Sequence, residues 1–174
     1  MRQALLIVVF LVGGLAAAAA APAHTAKAAS GCTGSMVVKT SSYVFVLKIG
    51  PFEEMVSLAD AKAKHLKHAE VMVSGAMMGM HMAMSMQRHL EVQICRRSTG
   101  KVVLGAHPAI TVADLTAKTK PEVVSVAAMY GLAEGVSDMH YGNNVPMRAG
   151  HVYRVTVALG GQKAIFRVKV SKTM

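Results

Sequence analysis

Between Ala76 and Gln87 the chain reads Met77-Met78-Gly79-Met80-His81-Met82-Ala83-Met84-Ser85-Met86, with a methionine at nearly every second residue around a central histidine. A thioether is neutral, soft and unable to deprotonate. Several thioethers around an imidazole suit Cu(I) and suit Mg or Ca poorly. If the segment is extended, Met78, Met80, Met82, Met84 and Met86 share one face and His81 takes the other; if helical, Met78, Met82 and Met86 form a stripe with Met77, His81 and Met84 beside it. Gly75, Gly79 and the lack of β-branched residues favour a loop. Two other readings compete. Methionine is a flexible filler of cores and of promiscuous apolar surfaces, although a core segment normally mixes in Leu, Ile and Val, and this one has none. Methionine also traps oxidants reversibly as the sulfoxide.

Directly downstream stands His89-Leu90-Glu91. On a strand, residues i and i+2 point the same way, so an imidazole and a carboxylate would sit together and suit Cu(II), Fe(II) or Zn(II). An exposed His/Glu pair on a wet sheet face is the plainer alternative. A third constellation, Ser137 to Asn144, places Met139 and His140 side by side in a polar, glycine-flanked loop, where function concentrates. A shared site requires these groups at one end of the fold. Imidazoles of His89 and His140 more than about 10 Å apart would exclude it, since nitrogen–metal bonds are near 2 Å.

The elements that must carry these residues read as strands. Ser42 to Ile49 is rich in β-branched and aromatic residues and ends at Gly50-Pro51. Glu70 to Ser74 is a strand entering the methionine segment. Gln87 to Arg96 alternates, with Leu90, Val92 and Ile94 on one face and His89, Glu91, Gln93 and Cys95 on the other. Lys101 to Leu104, Ala109 to Ala113 and Glu122 to Met129 are further strands, and Tyr130 to Asn144 reads as loop. His151 to Leu159 and Gln162 to Val170 flank Gly160-Gly161 as a hairpin. One short surface helix, capped by Ser57, covers Ser57 to Lys64. Short strands with turns between them predict an all-β domain: an immunoglobulin-like or cupredoxin-like β-sandwich of about seven strands over residues 36–174.

The N-terminus reads as a signal peptide over residues 1–21: a positive start, an apolar run from Ala4 to Leu15, then small residues. A membrane anchor is the alternative, but the apolar run is shorter than the roughly 20 residues a span needs. A flexible leader follows over residues 22–35. The expected location is therefore periplasmic, extracellular or at the cell surface. Cys32 and Cys95 are the chain's two cysteines, and in an exported protein a pair suggests one disulfide. It would close a loop of about 60 residues, worth about 4 kcal/mol. A lipidated Cys32 and a thiolate ligand at Cys95 are the rival readings.

The 174 residues carry a formal net charge of +10 and no tryptophan. The positive charge is spread over many segments, without the basic stripe and interleaved aromatics of a nucleic-acid binder, so nucleic acid is not the expected partner. A basic exported protein more readily meets anionic lipid heads or acidic polymers. No G-x-S-x-G, H-E-x-x-H or P-loop is present, and no carboxylate pair suggests acid–base work, so no enzyme is expected.

The run His140-Tyr141-Gly142-Asn143-Asn144, followed by the Tyr-x-Val-Thr strand at Tyr153 to Thr156, resembles the periplasmic iron-uptake-protein family, copper-binding proteins that work beside an iron permease. The resemblance covers roughly Gln87 to Val170. It implies an immunoglobulin-like fold and a copper site of His, Met and Glu ligands. The family's H-x-E would fall on His89 and Glu91, its loop histidine on His140, and its methionine on Met129 or Met139. The family's last ligand histidine has no counterpart, since Ala158 stands there. The sequence thus predicts an exported protein that binds copper, as Cu(I) or Cu(II), or Fe(II), and buffers it or delivers it to a membrane transporter or permease. The expected ligands are Met77, Met78, Met80, His81, Met82, Met84, Met86, His89, Glu91, Met139 and His140. The alternative is an interaction module that presents an apolar methionine loop to a protein or membrane partner.

Overall fold

The computed structural model describes residues 32–76 and 86–171. Of the expected ligands, Met77, Met78, Met80, His81, Met82 and Met84 lie outside the described residues, as do the expected signal peptide and most of the leader.

Among the described residues, eleven strands form two sheets packed face to face. The larger is built from β1 (Met36–Lys39), β2 (Tyr43–Gly50), β3 (Met55–Val56), β4 (Glu70–Ser74), β5 (Gln87–Arg96), β8 (Ala127–Gly131) and β9 (His140–Pro146), in the order β1-β2-β5-β9-β8-β4-β3. The smaller contains β6 (Ala109–Asp114), β7 (Glu122–Val123), β10 (Val152–Leu159) and β11 (Gln162–Lys169), in the order β11-β10-β6-β7. All pairings are antiparallel except β3 with β4. The one α-helix among the described residues, α1 (Leu58–Ala63), begins where the Ser57 hydroxyl accepts from the Asp60 N–H.

The alternation in β5 becomes burial. Leu90, Val92 and Ile94 enter the space between the sheets with Phe45, Leu47, Tyr141 and Val145, and meet Ile110, Val155, Val157 and Phe166 of the smaller sheet. Each such side chain contributes about 1.5–3 kcal/mol on burial. Period-two patterning sends the intervening residues, His89 and Glu91, to the outer face of the larger sheet. The hairpin β10–β11 turns through Gly160 and Gly161, whose φ values of 56° and 74° are the paired left-handed conformations of a type I′ turn. Cys32 and Cys95 form a disulfide that ties the chain ahead of β1 to β5.

The described residues form eleven strands, not about seven, because β1 and β3 are too short to show a period, and three other expectations differ from the structure. Residues 101–104 make only an isolated bridge, Cys95 to Val102, because left-handed Gly100 and Gly105 bracket the segment. The expected strand 122–129 is two strands: β7 pairs in the smaller sheet and β8 in the larger, so an almost continuous apolar run conceals a crossing between layers. The expected loop 130–144 is the end of β8, a 3-10 turn at Gly135–Asp138, and then β9. The segment is polar yet not loop because His140, Asn143 and Asn144 are buried in β9, the two asparagines satisfied there by distant segments.

Candidate metal centre

The outer face of the larger sheet holds the chemistry. Across β5–β9, His89 stands opposite Asn144 and Glu91 opposite Gly142. Across β8–β9, Ala127 stands opposite Gly142 and Met129 opposite His140. Across β4–β8, Met72 faces Met129 and Glu70 faces Gly131. Gly142 and Ala127 therefore leave a hollow in the middle of this face. His89 and His140 lean toward each other across it, edge to face, with ring centroids 5.8 Å apart. Glu70 reaches in from β4, its Oε2 3.3 Å from His140 Nε2. One ligand atom from each of Glu70, His89 and His140 lies within 4.8 Å of the others, a grouping that could hold a metal ion.

Hydrogen bonding selects which nitrogen of each ring faces the centre. His140 Nδ1 lies 2.7 Å from the Asp138 carbonyl oxygen, and His89 Nδ1 lies 3.1 Å from Asn144 Oδ1. Both acceptors require a proton on Nδ1, which leaves each Nε2 as the atom that can coordinate. Those two Nε2 atoms and Glu70 Oε2 are buried; His89 Nε2 has no partner, and His140 Nε2 and Glu70 Oε2 have only their mutual 3.3 Å ion pair. Buried polar atoms are nearly always paired. Three such atoms within 4.8 Å of one another fit a cation between them, and the donor set of two imidazoles and a carboxylate suits a borderline divalent ion.

The segment between β2 and β3 covers the site. Pro51 accepts from the His89 N–H, and Asn144 both donates Nδ2–H to the Glu53 carbonyl and accepts from the Glu53 N–H. Met55, Met129 and Ala127 pack as a buried apolar cluster with Met72 against it. One flank is thus thioether-rich.

Carboxylates crowd the other flank. Burial works against the His140 imidazolium, but Asp138, Glu70 and Glu91 outweigh it and hold its pKa at about 10. Burial, and then the charge of His140, push His89 below the usual histidine value, against the opposing pull of Asn144. Without a metal, the pair is therefore one imidazolium, balanced by Glu70, beside one neutral imidazole. Burial, with Glu70 and Glu91 nearby, raises the Glu53 carboxyl. Burial also opposes the charges of Asp138 and Lys48, yet His140 and Lys48 hold Asp138 down, and Glu91 and Asp138 hold Lys48 up.

The structure brings His89 and His140 together as expected, but Glu91 is not the third group. Glu91 shares their face, and its carboxylate is held 3.2 Å from Lys48 Nζ, its register partner on β2. Met139 is also displaced from the expected site: strand alternation turns it into the core, 6% exposed, away from the His140 side. Of the two methionines the resemblance offered, only Met129 lies on the site face. Met86 lines a cavity of about 300 Å3 between the sheets with Asp114, Met147 and Tyr153, apart from the three clustered groups.

Glu70 is the residue that sequence reasoning missed. Its signal was slight: a carboxylate two residues before Met72 in an otherwise apolar strand. The H-Y-G-x-N run acquires a physical meaning residue by residue. His140 faces the centre. The Tyr141 hydroxyl donates to the Val103 carbonyl and accepts from the Ala106 N–H. Gly142 leaves the hollow, Asn143 donates to the Ala76 and Ser125 carbonyls, and Asn144 orients His89. Among the described residues, no helix is long and apolar enough to cross a membrane. Comparison with known proteins finds no match to this chain among family models, curated proteins or solved structures.

Proposed function

We propose that this is an exported copper-binding protein that buffers one ion at Glu70, His89 and His140 and passes it to a membrane transporter, without turnover. The observation that carries the reading is the convergence of three buried ligand atoms that lack any other hydrogen-bond partner. Two imidazoles and a carboxylate suit Cu(II), Fe(II) or Zn(II). The adjoining thioethers of Met129, Met72 and Met55 favour copper within that group, because they are soft neighbours for Cu(I) and useless to a hard ion. The composition of residues 77–86 supports the same preference. The resemblance of His140 to Asn144 to the periplasmic iron-uptake proteins agrees with both metal and location. A disulfide fits an oxidising compartment. Three protein ligands leave a coordination position open for exchange, as a carrier needs.

The test is titration with Cu(II), Cu(I) and Fe(II) against competing chelators, using the native chain, a His89→Ala/His140→Ala variant, and a variant with Met77, Met78, Met80, Met82, Met84 and Met86 changed to Leu. Stoichiometric copper binding lost in the histidine variant supports the site. Cu(I) binding lost only in the methionine variant would move the soft site to residues 77–86. Weak, equal binding in all three would remove the metal reading and leave the interaction module.

A further inference from the structure

The chain's acidic residues leave one of the two outer faces bare, since Asp114 and Glu122 of the smaller sheet pair with inward Tyr153 and Val112. The chain has nine acidic residues, and all nine lie among those described. Glu53, Glu70, Glu91 and Asp138 surround the histidine pair, and the Glu134 carboxylate lies over Gly131 on the same face. The outer face of the smaller sheet carries none. Its outward residues are Val152, Arg154, Thr156 and Ala158 on β10, and Lys163, Ile165, Arg167 and Lys169 on β11, paired in register. Arg154 stands directly opposite Arg167, and Lys163 and Lys169 lie on either side along the strand. All four cations are exposed.

Like charges placed opposite each other destabilise a sheet. Edge protection accounts for cations on β11, an edge strand, but not for Arg154 on the interior strand β10 set against Arg167. We infer that this face is a docking surface for an anionic lipid bilayer. The outward positions contain no aromatic residue on which a base could stack, and the face is an open sheet rather than a channel that tracks a polymer. Ile165, 57% exposed among the cations, and Val123, 77% exposed and opposite Thr111 of the same sheet, supply apolar contact at the headgroup level. Docking here turns the Glu70–His89–His140 face away from the lipid, because the two faces are opposite sides of the sandwich. The inference does not depend on the metal reading.

The experiment is co-sedimentation of the purified protein with vesicles of phosphatidylcholine alone and of phosphatidylcholine with phosphatidylglycerol, at low and high salt. The variants are Arg154→Gln/Arg167→Gln and, as a charge-matched control, Lys62→Gln/Lys67→Gln at the helical end of the larger sheet. Binding to anionic vesicles is expected to weaken about fivefold for each arginine removed, about thirtyfold for the pair. The control should change by less than twofold, and salt should abolish binding. The arginine variant should melt no lower than the native protein, since a repulsive pair is removed. Equal losses in the two variants would reduce the effect to net charge and overturn the proposal. So would equal binding to neutral vesicles, or binding to heparin without binding to vesicles.

Discussion

His89 and His140 meet edge to face with ring centroids 5.8 Å apart, although the β5–β9 register places His89 opposite Asn144, four residues beyond His140. Two pleats separate them along the strands. At Gly142, the residue midway, a Cβ would fall on the Leu90 carbonyl of β5, so only glycine lets the two strands pair closely enough here for the rings to meet.

A side chain at Gly142 should therefore damage fold and site together. The Cβ of Gly142→Ala would land on the Leu90 carbonyl in the adjoining strand. The β5–β9 pair must spread, which should cost about 1–3 kcal/mol. Denaturant melts should report that loss, and metal titration should report weaker binding even where the variant remains folded.

Asn144 touches no ligand position itself but orients His89 through Nδ1. Asn144→Leu keeps similar bulk and removes the acceptor. Metal affinity should fall about 10–100-fold, the usual effect of losing a group that orients a ligand. An unchanged affinity would mean that His89 does not coordinate through Nε2.

Lys48 holds the Glu91 carboxylate at 3.2 Å and lies 3.9 Å from that of Asp138. Lys48→Met removes a cation beside the centre and releases Glu91. Divalent-metal affinity should rise by roughly tenfold, whereas Lys48→Arg should stay near the native value. Adding Glu91→Gln to Lys48→Met should cancel most of the gain if Glu91 has moved to the ion.

Coordination through His140 Nε2 requires loss of a proton that the surrounding carboxylates hold with a pKa of about 10. Below that pH each bound ion releases this proton, so affinity should rise by about tenfold per pH unit through the neutral range and level off near pH 10. His89, whose pKa lies below the usual value, contributes no release there. In the metal-free protein the sign is opposite. A raised folded-state pKa stabilises the fold fully below the ordinary histidine value, and that contribution fades as pH climbs toward 10. Buffer-dependent calorimetry measures the proton count, and pH-dependent melts of His140→Gln against the native chain measure the stability.

The Cys32–Cys95 bond closes a sequence separation of 63 residues. Reduction should lower stability by about 4 kcal/mol through the restored freedom of the unfolded chain. Because Cys95 lies six residues along β5 from His89, about 20 Å at the rise of an extended strand, the reduced protein should keep its metal affinity while it remains folded. Chemical denaturation with and without reductant, followed by metal titration, separates the two effects.

Several features were legible because they are local. The 2-residue period of Gln87 to Arg96 assigned Leu90, Val92 and Ile94 to the core and His89 to the other face, and the Gly160-Gly161 turn identified the final hairpin. The Ser57 cap marked the helix. Met139 was misjudged because a polar neighbourhood suggested a loop, whereas alternation in and before β9 sends His140 outward and Met139 inward. That polarity is buried, and Asn143 and Asn144 are satisfied by segments far away in sequence, which no local window reports.

By itself, the sequence determined the all-β class, the sandwich core and a histidine pair available on one strand face and in one polar run; the Cys32–Cys95 bond, one of three readings, was decided by the fold. It could not determine the third group. Glu91 is two residues from His89 and points the same way, yet the β2–β5 register gives it to Lys48. Glu70 is remote in the chain, yet the order β5-β9-β8-β4 brings it to His140. Local periodicity decides which face a side chain takes. Which side chains meet on that face depends on strand order and register, and those follow from how the whole chain buries its apolar surface.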